Sequence, residues 1–82
     1  MSIVTTPELQ RAAPYVQIAD HYRRLIETGV LAAGDRLPAV ASMALTWRVA
    51  PGTAHRAVRE LKREGLVVTS QRGTVVADGG AA

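Results

Sequence analysis

The sequence predicts a mainly α domain completed by a small β-hairpin: three helices plus a two-stranded wing, the winged helix-turn-helix arrangement. Three observations predict it. A Pro-started amphipathic stretch runs from Pro14 to a Gly stop at Gly29. A second Pro-started stretch, from Pro51 to Gly65, follows a short Ala-rich segment across the turn Trp47-Arg48-Val49-Ala50. Two β-branched runs, Leu66–Thr69 and Thr74–Ala77, then flank a basic Gly turn. Short helix, tight turn, basic helix and basic hairpin in that order specify the arrangement more closely than any one of them does.

Residues 1–13 carry no sustained period and are punctuated by Pro7 and Pro14, so they are expected to form a flexible N-terminal arm. From Pro14 onward Tyr15, Ile18, Ala19, Tyr22, Leu25 and Ile26 recur at three- and four-residue steps, with Gln17, Asp20, Arg23, Arg24 and Glu27 opposite them. Pro14 suits the first helical position, where a missing N–H costs nothing, and Gly29 suits the stop. Gly34-Asp35 is a turn signal, and Arg36-Leu37 is a candidate for a very short strand before Pro38. Ala39–Thr46 reads as the second helix, with Val40, Met43 and Ala44 inward. In the third helix Ala54, Val58 and Leu61 form the apolar stripe and Gly65 ends it. Ser70-Gln71-Arg72-Gly73 is expected to join the two strands as a four-residue loop. The domain is thus expected over 14–78, with 79–82 a disordered tail.

Eighty-two residues make one small domain, and nearly half are apolar, enough for a core without metal or disulfide support. That core must be aliphatic, because there is no Phe and only Tyr15, Tyr22 and Trp47 supply rings. The absence of Cys excludes disulfides, cysteine-type zinc fingers and thiol chemistry. No apolar run approaches a membrane span and no secretory signal layout precedes the domain. A cytoplasmic, nucleoid-associated chain without membrane contact is the expectation. His21 and His55 are too far apart in sequence, and too poor in companions, to suggest a metal site; no cofactor is expected. An enzyme is not expected either, since no carboxylate pair, nucleophile–base set or phosphate loop is present.

Charge is the informative part of the composition. From Arg48 to Val76 the chain holds Arg48, Arg56, Arg59, Lys62, Arg63 and Arg72 against Glu60 and Glu64, a local net of +4; the remainder sums to −1. The whole positive excess lies in the segment that a reader of duplex DNA presses against phosphates. On the third helix Gly52, His55, Arg56, Arg59 and Arg63 project away from the apolar stripe. Thr53 offers a hydroxyl and a methyl in the first turn, and Gly52 admits close backbone approach to phosphate or base. At the wing tip Gln71, Arg72 and Gly73 form the second candidate contact, an Arg beside a Gly entering a minor groove at little steric cost. The candidate DNA-binding residues are therefore Gly52, Thr53, His55, Arg56, Arg59, Arg63, Gln71, Arg72 and Gly73. Arg23 and Arg24 are weaker candidates for phosphate contact from the first helix. Tyr15 and Tyr22 read as core, and Trp47 as a partly buried plug over the turn.

Three segments, YVQIADHYRRLIETGVLAAGDRLPAV, VAPGTAHRAVRELKREGLV and RGTVV, resemble the DNA-binding domain of the GntR family of bacterial transcription regulators. The resemblance covers Tyr15 to Ala77, about three-quarters of the chain. It implies that Thr53, Arg56 and Gly73 lie at the DNA. The chain departs from the family pattern at four places. An Arg-Glu pair early in the second helix is replaced by Ala41 and Ser42, and a basic residue at the start of the third by Pro51. His55 stands for a frequent Arg, and Arg48 for the usual turn Gly. Family members also carry a C-terminal domain for effector sensing or dimerisation, whereas this sequence stops soon after the wing. The expectation is therefore a sequence-specific, bacterial-type transcriptional regulator of duplex DNA, a repressor without a small-molecule effector, acting as a homodimer or as several copies. An architectural or excisionase-like recombination accessory protein, or a winged-helix protein-interaction module, are the alternatives the same residues allow.

Overall fold

The computed structural model describes residues 12–78. Most of the N-terminal arm expected at 1–13, and the tail expected at 79–82, fall outside the described residues. Three helices and one antiparallel hairpin follow in order: α1 (Pro14–Glu27), α2 (Val40–Trp47), α3 (Pro51–Arg63), β1 (Val67–Ser70) and β2 (Gly73–Val76). This is the three-helix, two-stranded winged helix-turn-helix predicted above.

Both long helices begin on a proline, and in both a single C-cap residue separates the helix from the positive-φ glycine that releases the chain: Thr28 caps α1 ahead of Gly29, and Glu64 caps α3 ahead of Gly65. Gly65 (φ 80°) turns the chain from α3 into the wing, where a side chain would be strained. All three helices start from an alanine: Ala13, Ala39 and Ala50 stand at the N-cap positions, none supplies a side-chain hydrogen bond, and no acidic residue occupies any first turn.

The core sits where α1, α2 and α3 meet the hairpin. Ile18, Ala19 and Tyr22 enter it from α1, Met43 and Ala44 from α2, and Ala54, Ala57, Val58 and Leu61 from α3; Leu37, Val67 and Val76 close it. Ala57 extends the expected Ala54/Val58/Leu61 stripe into a wider buried face. Tyr22 is buried as expected, with its hydroxyl accepting a 3.5 Å hydrogen bond from Trp47 Nε1. Trp47 closes α2 rather than opening the turn, half-buried and edge-on to His21 at 5.2 Å between centroids. Tyr15 departs from the expectation: it lies at the helix start and packs against the edge of the core, only half-buried, with Arg56 of α3 over its ring.

The wing is tighter than the four-residue loop expected. Ser70 and Gly73 pair across the hairpin, so only Gln71 and Arg72 remain in the turn. The Ser70 hydroxyl accounts for this: its Oγ accepts from Arg72 N–H and donates to Gly73 O, both at 3.1 Å. Gly73, at φ 106°, takes the one left-handed step of the hairpin. Arg36 forms the expected short strand as a single antiparallel bridge to Val75, supported by Leu37 N–H donating to Thr74 O (2.9 Å) and Val76 N–H to Asp35 O (2.8 Å). The loop after α1 is thereby pinned to the wing.

Between α2 and α3 the turn rests on Arg48, whose φ 57° and ψ 49° make it, among the described residues, the one non-glycine in the left-handed region. That conformation costs an L-residue about 1–2 kcal/mol. Glycine there removes the strain and returns part of the gain as unfolded-chain entropy. Arg48→Gly is accordingly expected to stabilise the domain by about 0.5–1 kcal/mol, a rise in Tm of roughly 2–8 °C; thermal unfolding by circular dichroism checks it, and an unchanged or lower Tm contradicts the strain assignment.

Candidate nucleic-acid interface

On α3, positions 54, 57, 58 and 61 are buried, which turns Gly52, His55, Arg56, Arg59, Lys62 and Arg63 outward; all six are exposed and Thr53 is half-buried. Arg56, Arg59 and Arg63 fall at i, i+3 and i+7, so the three guanidinium groups share one side of the helix. Of the α3 residues singled out in the sequence, Gly52, His55, Arg56, Arg59 and Arg63 lie on the solvent side of the helix, and Thr53 lies at its edge. Gln71, Arg72 and Gly73 are also exposed, at the tip of the wing.

The N-terminal end of α3 carries an open positive pole. Pro51 has no N–H, Thr53 N–H and Ala54 N–H fold back on Ala50 O at 2.9 and 3.3 Å, and neither an N-cap side chain nor an acidic residue neutralises the turn. Such an end attracts anions, phosphate oxygens included. Beside it opens a shallow groove lined by Ala13, Pro14 and Tyr15 of the α1 start and by Ala50, Gly52, Thr53 and Arg56 of the α3 start.

Ion pairing sorts the cations into two sets. Arg23 grips Glu64 with two hydrogen bonds, Nε to Oε1 at 2.9 Å and Nη2 to Oε2 at 2.7 Å, and also reaches Asp20 at 3.4 Å. Arg24 pairs with Asp20 at 2.9 Å. The hydrogen bonds from Arg23 hold the Glu64 carboxyl below its ordinary range and raise the Arg23 guanidinium in turn. The two α1 arginines are thus engaged in ion pairs within the protein, Arg23 half-buried between Asp20 and Glu64 and Arg24 at the surface. Arg63 pairs with Glu60 one turn back on the same helix. Arg56, Arg59, Lys62 and Arg72 have no ion-pair partner among the described residues.

Arg56 has a different companion. Its guanidinium carbon lies 3.9 Å from the centre of the Tyr15 ring, and its Nη2 donates to the Tyr15 hydroxyl at 3.3 Å. Sequence reasoning assigned Tyr15 to the core and missed this contact. The two residues stand 41 positions apart, and helical periodicity marks only that Tyr15 belongs to an apolar face.

Among the described residues no group of three or more His, Cys, Asp or Glu comes together, and no helix is long and apolar enough to cross a membrane.

Residues 14–76 match the family described as bacterial regulatory proteins, gntR family. The chain is similar to the uncharacterized HTH-type transcriptional regulator YhcF of Bacillus subtilis (strain 168), 39% identical over 74 residues that cover 87% of this chain and 60% of YhcF. It is also similar to the HTH-type transcriptional repressor YtrA of the same organism, 35% identical over 65 residues covering 78% of this chain and 50% of YtrA. Among solved structures, YtrA from Sulfolobus acidocaldarius, a GntR-family transcription factor, aligns at a TM-score of 0.80 and 34% identity, covering 94% of this chain and 82% of that one. The chain spans 60% and 50% of the lengths of the two Bacillus relatives.

Proposed function

The chain belongs to the gntR family of bacterial regulatory proteins, and from that membership we propose that it is a sequence-specific, duplex-DNA-binding transcriptional regulator of the repressor type. The observation that carries the reading is the third helix: four buried apolar positions on one side, and on the other Arg56 and Arg59, exposed and without an acidic partner among the described residues. A helix so divided packs on its scaffold and lies in a major groove at the same time. In this reading Gly52, Thr53, His55, Arg56 and Arg59 meet base edges and the nearest phosphates, Arg63 a phosphate further along, and Gln71, Arg72 and Gly73 the adjoining minor groove. The open pole of α3 adds a backbone phosphate contact. Repression is drawn from the likeness to Bacillus YtrA, a repressor by name. A single module of this size makes few contacts, so the working form is a homodimer or several copies on paired sites, placed in the cytoplasm on the nucleoid. Binding, with no chemistry performed on the DNA, is the activity.

The test is a titration of the protein against the duplex upstream of its own gene and against a scrambled duplex, each at two salt concentrations. Tighter binding to its own sequence that survives the higher salt is the expected result. Equal affinity for both duplexes that collapses with salt signals phosphate attraction alone and favours an architectural role. An absence of binding to either duplex overturns the reading.

A further inference from the structure

We propose that Tyr15 is a positioning residue for DNA recognition: its ring is the platform that restrains the Arg56 guanidinium at the start of the recognition helix. The inference rests on the DNA-binding reading above and deepens it. Arg56 is exposed and has no acidic partner among the described residues, the situation in which an arginine normally samples many rotamers. Here its guanidinium carbon lies over the Tyr15 ring, 3.9 Å from the centroid, with one Nη2 hydrogen bond to the phenol at 3.3 Å. A stacked guanidinium keeps its full charge and presents its N–H edges outward, whereas a carboxylate partner neutralises the charge and occupies the same donors. Arg63 shows that second case on the same helix, paired with Glu60. Tyr15 therefore restrains Arg56 without disarming it.

The location suits the role. Tyr15 is half-buried and packed against the core, so its ring is fixed by α1 rather than by Arg56. The groove beside it is shared with Ala50, Gly52 and Thr53 of the α3 start, the part of the helix nearest a base edge in the proposed docking. The start of α1, remote in sequence, thereby sets the direction of a recognition side chain.

The test is a double-mutant cycle on the full chain with Tyr15→Phe, Tyr15→Leu and Arg56→Ala, reading duplex affinity at two salt concentrations and Tm for every variant. Tyr15→Phe keeps the platform and is expected to bind within about twofold of the parent. Tyr15→Leu removes it while staying apolar, and is expected to weaken binding by about threefold to tenfold. In the Arg56→Ala background Tyr15→Leu is expected to add nothing, because nothing remains to be positioned. In the free protein, the Arg56 side-chain proton resonances shifted by the ring should persist in Tyr15→Phe and vanish in Tyr15→Leu. Equal losses from Tyr15→Leu with and without Arg56 show that Tyr15 acts independently and overturn the proposal. Loss of affinity in Tyr15→Phe equal to that in Tyr15→Leu also overturns it, since the hydroxyl rather than the ring is then at work. If the parent protein binds no duplex the DNA reading itself fails and this role with it; additive losses in a protein that does bind defeat only the role of Tyr15.

Discussion

Alanine at Arg59 is expected to weaken binding to the cognate duplex by about 1–3 kcal/mol, a loss of roughly fivefold to more than a hundredfold. Arg59 is the strongest single candidate on α3. It lies opposite the buried face, it has no ion-pair partner among the described residues, and it sits one turn beyond Arg56 on the same side. The form of the loss distinguishes two roles. A base contact makes Arg59→Ala lose affinity for the cognate duplex while the scrambled duplex is little affected. A phosphate contact lowers both and reduces the slope of log K against log salt by about 1. Arg63→Ala, whose charge is already shared with Glu60, should lose less in either case. Unchanged affinity of Arg59→Ala for both duplexes removes this face of α3 from the interface.

Leu61→Ala is expected to be the most destabilising simple truncation, at about 2–5 kcal/mol. Leu61 is fully buried on the core side of α3, and its carbonyl accepts the Leu66 N–H (3.0 Å) where the chain turns toward the wing. A domain of this length has a total stability of only about 4–12 kcal/mol, so the substitution removes a large share of it. The corresponding fall in Tm is at least about 8 °C, read by thermal or urea unfolding. Below that transition the folded fraction should still bind DNA, because no residue of the outward face has changed. A loss under 1 kcal/mol means that the site collapses around the missing methyl groups and that Leu61 is not central to the core.

Local physics explains which parts of the molecule were legible in the sequence. Pro14 and Pro51 announce helix starts because proline's fixed φ and missing N–H suit the first turn, and the Gly29 and Gly65 stops follow from the cost of positive φ for other residues. The buried face of α3 was read from Val58 and Leu61, but Ala57 was passed over, since an alanine carries little hydrophobic signal until a neighbouring helix comes close enough to cover it. The hairpin loop was read two residues too long because its closure depends on one hydroxyl, that of Ser70, making two local hydrogen bonds. Contacts between distant positions left no trace in the periodicity. Arg23 with Glu64, and Tyr15 with Arg56, each join residues 41 apart, and both decide which cations stay available. Sequence charge counting marks α3 as the basic helix, and only the fold shows that Arg23, Arg24 and Arg63 are ion-paired whereas Arg56 and Arg59 have no acidic partner among the described residues.

The three alanines at the helix N-caps set how far this protein is from its attainable thermal resistance. A Ser, Thr, Asp or Asn at such a position is worth about 0.5–2 kcal/mol over Ala, so the chain holds an unused reserve comparable to a whole buried leucine. The reserve is unevenly accessible. At Ala39 it is open to redesign, because α2 carries no proposed contact. At Ala50 an aspartate would set a negative charge against the phosphates that the α3 pole is proposed to meet, so durability and recognition compete for the same position, and the small neutral residue there favours recognition.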